Sequence, residues 1–131
     1  MDDGALGKTY KDGEFIIREG EHGDCMFVIQ EGQVEVLKES DGSLVPIAVR
    51  GEGEFFGEMA LFEREVRRAS VRARGTVRLL TIDKKNLLRR LQSDPSLAFR
   101  IIDTMSRRIR ELSDGVAYLS QLATQQAQKL H

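Results

Sequence analysis

Gly53-Glu54-Phe55-Phe56-Gly57-Glu58-Met59-Ala60-Leu61-Phe62 runs directly into Glu63-Arg64-Glu65-Val66-Arg67-Arg68-Ala69-Ser70-Val71. A glycine followed by a short helical turn presents backbone N–H groups, and the peptide dipoles there favour an anion. Paired arginines follow just before strand-like sequence, and an arginine can meet an anion with a two-pronged fork. Glu58, in the same turn, is wrong for phosphate but suits a sugar hydroxyl, because a carboxylate accepts hydrogen bonds. Amides, arginine and carboxylate in one segment describe a pocket for a ribose phosphate. A blander reading stands beside it: Glu58 pairs on the surface with Arg64 or Arg67, a contact worth about 0–1 kcal/mol.

Upstream of this stretch the chain is a series of short apolar runs punctuated by glycine, the pattern of an antiparallel sandwich or barrel. Phe15-Ile16-Ile17, Cys25 to Ile29 and Val34 to Lys38 are strand candidates, the last alternating apolar and charged as a half-buried strand does. Ser40-Asp41-Gly42-Ser43 supplies hairpin chemistry before a return strand from Leu44 to Val49. Downstream, Val71 to Arg74 and Val77 to Ile82 read as a strand pair around Gly75, with Val71 and Ala73 inside and Arg72 and Arg74 in water.

From Asp83 onward the texture is helical. Asp83 caps a helix over Lys84 to Gln92, and Ser93-Asp94-Pro95 starts a second with proline in its first turn. That helix is expected from Ser96 almost to the end, fraying beyond Ala123. Ile102, Met105, Ile109, Leu112, Val116, Leu119 and Ala123 follow a strict three-four spacing, the seam of a left-handed coiled coil. The alternative is a helix packed on its own sheet. The fold expected is therefore mainly β with C-terminal α, as a single domain. An antiparallel β-roll occupies about residues 8–83, and a short and a long helix occupy about 84–131.

Composition narrows the function classes. The 131 residues hold 20 Lys+Arg against 21 Asp+Glu, a net charge of -1, so there is no basic surplus for direct nucleic-acid contact. No apolar run approaches the roughly 18 residues of a membrane span, and no signal-peptide core follows Met1. With one cysteine there is no internal disulfide, and the expected location is cytoplasmic. No nucleophile–base pair, metal triad or lysine-bearing glycine loop stands out, so an enzyme is not expected. His22 and Cys25 beside Glu21 and Asp24 could ligate a metal or haem, but Cys25, followed by Met26 and Phe27, reads better as a small buried hydrophobe, and no metal site is assigned.

The string FGEMALFEREVRRASVRA, residues 56–73, resembles the phosphate-binding cassette of the cyclic nucleotide-binding domain family. That family includes bacterial catabolite activator proteins, regulatory subunits of protein kinase A and cyclic-nucleotide-gated channels. Gly13 to Asp24 is similar to the family's early glycine turns, and Met26 to Gly32 to the strand after them; the likeness runs from about Tyr10 to about Leu119. The resemblance implies a jelly-roll β-barrel holding a 3′,5′-cyclic nucleotide, with a cassette over residues 56–71. Carried over residue by residue, Glu58 matches the glutamate that binds the ribose 2′-OH. Phe56, Gly57, Met59 and Ala60 form the cassette turn and its N–H donors. Arg67 matches the arginine that pairs with the cyclic phosphate, and Arg68 and Ala69 form the exit. Both Arg67 and Arg68 stand at a spacing from Glu58 that fits the family, and counting back from Val71 favours Arg67. A hydroxyl at position 68 is associated with cGMP in the family; Arg68 there points to cAMP, with cGMP the alternative. Leu112 and Ser113 fall where the family's helix caps the base.

No cofactor other than this ligand is implied. The seam predicts a homodimer through the C-terminal helix. Activator-type relatives continue into a helix-turn-helix, whereas this sequence ends at His131, so the expectation is a stand-alone domain or a piece of a larger protein whose output these residues do not specify. A second function class is a same-fold dimerisation or effector domain of a transcription regulator, reading another signal (redox, haem) or none.

Overall fold

The computed structural model describes residues 7–63 and 66–129. Two strands carry the architecture. β3 (Cys25–Ser40) and β6 (Ser70–Asp83) pair antiparallel along most of their length. The outer side of β6 takes β1 (Lys8–Tyr10) and β2 (Phe15–Ile17), while β3 takes β4 (Ser43–Arg50) and β5 (Phe55–Phe56). The result is the expected antiparallel roll, built as one six-stranded sheet whose path β1-β6-β3-β4 stays open. A short α1 (Met59–Glu63) follows β5, and α2 (Lys84–Ser93) and α3 (Pro95–Lys129) complete the chain. The chain divides into two compact units, one ending at Arg89 and the other beginning at Arg90.

Two strand expectations change. Cys25 to Ile29 and Val34 to Lys38 are one strand, not two, and Val71 to Arg74 and Val77 to Ile82 are likewise one. The glycines that read as turns are kinks inside long strands. Gly32 takes φ +91° where the β3–β6 register slips, and a Cβ there would collide with the Thr76 carbonyl oxygen. Gly75 at φ +73° donates its N–H to Asp12 Oδ1 at 2.6 Å. The β3–β4 register slips as well, between Val36 and Leu37, next to Pro46, which has no N–H to give a ladder. On β3 itself Val34 and Leu37 are fully buried, while Val36 is only partly so.

The core lies between these kinks: Ile17, Phe27, Ile29, Val34, Phe56, Val71, Ala73, Val77 and Leu79 form one buried cluster. Val71 and Ala73 point in, and Arg72 meets Glu35 at 3.1 Å on the other face, as the alternation predicted. Asp83 Oδ1 accepts from Asn86 N–H at 2.8 Å and caps α2. Asp94 stands before Pro95 and accepts the Ser96 hydroxyl, and α3 runs unbroken past Ala123 to Lys129. No residue of α3 is buried, and its seam residues Ile102, Ile109, Leu112, Val116 and Leu119 are 62–70% exposed. Among the described residues no helix is long and apolar enough to cross a membrane.

Candidate functional site

The start of the cassette is fixed by the core. Gly53 N–H donates to Ile29 O at 2.9 Å, and Ile29 N–H donates to Glu54 O at 2.8 Å, so the turn before β5 is laced to β3. Phe55 and Phe56 then enter the core, and the Phe56 ring stacks on Phe27 with centroids 5.2 Å apart. Gly57 turns the chain out of β5 with φ +77°, in the left-handed region where glycine pays no Cβ penalty. α1 begins two residues later. Leu61 N–H donates to Glu58 O at 3.0 Å, whereas Ala60 N–H is only loosely engaged by Gly57 O at 3.4 Å. Ala60 and Leu61 are buried, Glu58 is half-buried and Met59 is exposed.

The end of the cassette is fixed by a turn far back in the chain. Val66 bridges His22. Arg67 N–H donates to Glu21 O at 2.7 Å, and Gly20 N–H donates to Arg67 O at 2.8 Å. The guanidinium is half-buried and held at its tip: Nη1 donates to Gly57 O and Nη2 to Cys25 O, both at 2.9 Å, with the ring of Phe27 5.9 Å away. Beyond it the exit is latched to the sheet. Lys38 Nζ donates to Arg68 O, and Glu19 N–H donates to the buried Ser70 hydroxyl at 2.9 Å.

Arg67 thus lines a cavity of about 230 Å³ with Ile17, Arg18, Gly23, Cys25 and Phe27. This is below the roughly 300–1,000 Å³ of ordinary ligand cavities. A second cavity of about 440 Å³ shares His22, Gly23 and Asp24 with the first and adds Ala60, Leu61, Asp83, Lys84 and Lys85. Within the first, burial pushes the Cys25 thiol above its ordinary pKa against the opposing pull of Arg67, with Asp24 adding to the rise.

The expected site residues divide on this geometry. Phe56, Gly57 and Arg67 are drawn together, the two ends of the cassette meeting at the Gly57 carbonyl. Ala60 lines the neighbouring cavity. Glu58 and Ala69 are half-buried, Arg68 is exposed, and all three lie outside the linings of both cavities. Arg64, the alternative partner for Glu58, lies outside the described residues, as does residue 65 of the cassette. Leu112 and Ser113 are on α3, both exposed. Among the described residues no group of three or more His, Cys, Asp or Glu side chains could hold a metal ion. Sequence reasoning missed the cradle: Gly20, Glu21 and the Cys25 carbonyl hold Arg67 through backbone atoms, which leave no residue-type signature. The paired glycines at 20 and 23 were the available signal.

Comparison with known proteins places the chain. The profile described as "Cyclic nucleotide-binding domain" matches residues 7–94. A cAMP-dependent protein kinase type II regulatory subunit from Drosophila melanogaster is 39% identical over 102 residues, 77% of this chain and 27% of that protein. The cGMP-dependent protein kinase egl-4 of Caenorhabditis elegans is 45% identical over 80 residues, 59% of this chain and 10% of that protein. This chain therefore spans about a quarter or less of the length of these relatives. Among solved structures, the catabolite activator protein of Thermus thermophilus superposes with a TM-score of 0.75 at 28% identity, covering 86% of this chain and 54% of that one.

Proposed function

The chain belongs to the cyclic nucleotide-binding domain family, and we propose that it is a regulatory sensor whose ligand is cAMP. The cyclic phosphate sits on Arg67 and the cassette N–H groups of Gly57, Met59 and Ala60, and Glu58 accepts the ribose 2′-OH. One observation carries this reading: the Arg67 guanidinium is pre-set by the Gly57 and Cys25 carbonyls at 2.9 Å. A guanidinium has five N–H donors, and two carbonyls leave donors for an anion. An arginine held by the fold's own carbonyls has less side-chain entropy to lose to an anion.

Within the same reading the domain works by binding, not by catalysis, and it acts in the cytoplasm as one sensor unit. Arg68 is exposed at the cassette exit and offers no hydroxyl there, which favours cAMP over cGMP. α3 transmits the signal, with Leu112 and Ser113 capping the base when the nucleotide is bound. A helix can respond only if the ligand prefers one of its positions, and a near-complete shift takes roughly 5.5 kcal/mol of differential affinity. The exposed seam of α3 pairs with a second copy to make a homodimer, since five apolar side chains at 62–70% exposure are otherwise left in water.

Calorimetric titration of cAMP, cGMP and 5′-AMP into the chain tests the reading. The expected result is micromolar or tighter binding of cAMP, weaker binding of cGMP and little heat from 5′-AMP. Tighter cGMP binding would reverse the proposed ligand. No heat from either cyclic nucleotide would overturn the reading and leave a dimerisation domain of the same fold.

A further inference from the structure

The side chain that the nucleotide reading depends on is aimed by a turn 42 residues earlier in the chain. That turn grips Arg67 three times: Glu21 O and Gly20 N–H bind its backbone on both sides, and Cys25 O binds its Nη2. Gly23 lies inside this grip. Its φ is outside the left-handed region, unlike that of Gly20 at +91°, so backbone conformation does not call for glycine at this position. Space does. A Cβ built on Gly23 would overlap Nε, Cζ and Nη2 of Arg67. Gly57 borders the same group, with a Cβ there coming 2.8 Å from Nη1.

We propose that Gly23 is a positioning residue for the nucleotide: the side chain it lacks is the space from which the Arg67 guanidinium is aimed at the cyclic phosphate. The inference rests on the assignment of Arg67 to the phosphate. The three atoms nearest the added Cβ in Gly23→Ala all belong to the far end of one flexible side chain, Arg67. The variant keeps its fold, and the guanidinium leaves the Gly57 and Cys25 carbonyls. An arginine free to wander retains its charge but loses the fixed fork that makes it selective for an anion. Gly57→Ala could not make the same point, because φ +77° would strain any residue with a Cβ.

A double-mutant cycle tests this, with cAMP titrated into the wild type, Gly23→Ala, Arg67→Ala and the double variant, and thermal melting run on each. Gly23→Ala and Arg67→Ala are each expected to weaken binding by roughly 10–100-fold, the range of a lost charged hydrogen bond. The double variant should bind within about 2-fold of Arg67→Ala, because the glycine acts only through the arginine. Gly51→Ala, whose added Cβ meets open space at an ordinary φ, should bind as the wild type does. Wild-type affinity in Gly23→Ala beside a weakened Arg67→Ala would overturn this inference and leave the nucleotide reading intact. So would additive losses in the double variant, or loss of the folded state in Gly23→Ala. Wild-type affinity in Arg67→Ala would overturn the phosphate assignment and this inference with it.

Discussion

The Gly57 carbonyl oxygen accepts a hydrogen bond from Arg67 Nη1 at 2.9 Å, closing the cassette on itself across ten residues. The start of the cassette is anchored in the core by Phe56 and its end by the Gly20–Cys25 turn, so this single bond joins two independently fixed points. The arginine that the proposal assigns to the phosphate is therefore held by the fold's own backbone. Binding has less to organise, and damage at either anchor reaches the arginine.

Phe56 is the core anchor. It is 4% exposed and stacked on Phe27 at 5.2 Å. Removing a ring from such a site forfeits transfer energy and leaves a cavity, at a cost of about 3–5 kcal/mol. Chemical denaturation of Phe56→Ala should show a loss of that size. A loss below about 1 kcal/mol would mean that the β5 ring is not a support of the cassette.

Glu58 carries the sugar half of the proposal. Glu58→Ala should weaken cAMP roughly 10-fold or more, the equivalent of one charged hydrogen bond, and leave the affinity for 2′-deoxy-cAMP unchanged. Competition titration with the two ligands measures both. Equal losses for the two would show that Glu58 supports the cassette instead of touching the ribose.

Cys25 reports on the same pocket through its titration. Burial raises its pKa, opposed by the Arg67 charge and reinforced by Asp24. The folded chain therefore holds the thiol proton more tightly than the unfolded chain does. That contribution to stability is fully present below the unfolded pKa of about 8.5 and is lost as pH rises through the folded value. Alkylation by iodoacetamide should accordingly be slow at pH 7, with an inflection above the ordinary thiol range. An inflection below that range would mean that Arg67, not burial, governs the thiol.

The α3 seam predicts self-association. Leu112 is 70% exposed at the centre of the stripe, and a charge there would face its own copy across a coiled-coil interface. Sedimentation of the wild type should give a dimer and Leu112→Asp a monomer. A monomeric wild type at tens of micromolar would remove the pairing from the account.

What was readable in the sequence was local. The Asp83 cap and the Asp94-Pro95 start set the first residues of α2 and α3 by contacts within three residues, and both were legible. The stretch from Gly57 to Arg67 could be singled out because its glycine, glutamate and arginine lie close together in the sequence. The merging of strands at Gly32 and Gly75 was not, because a glycine that kinks a strand looks like one that ends it. At Gly32 the neighbouring strand packs the Thr76 carbonyl over the kink, and at Gly75 the N–H is taken by Asp12, contacts between residues far apart in the sequence. The hold on Arg67 was hidden for the same reason: its partners are carbonyls on another turn, and Gly23 contributes an absence.

The central claim is that Arg67, not Arg68, binds a cyclic phosphate. Titrating cAMP by calorimetry into the wild type, Arg67→Ala and Arg68→Ala in parallel tests it most directly. The account predicts micromolar or tighter binding in the wild type, a loss of roughly 10–100-fold in Arg67→Ala, and near wild-type affinity in Arg68→Ala. Binding that survives in Arg67→Ala and collapses in Arg68→Ala would contradict it.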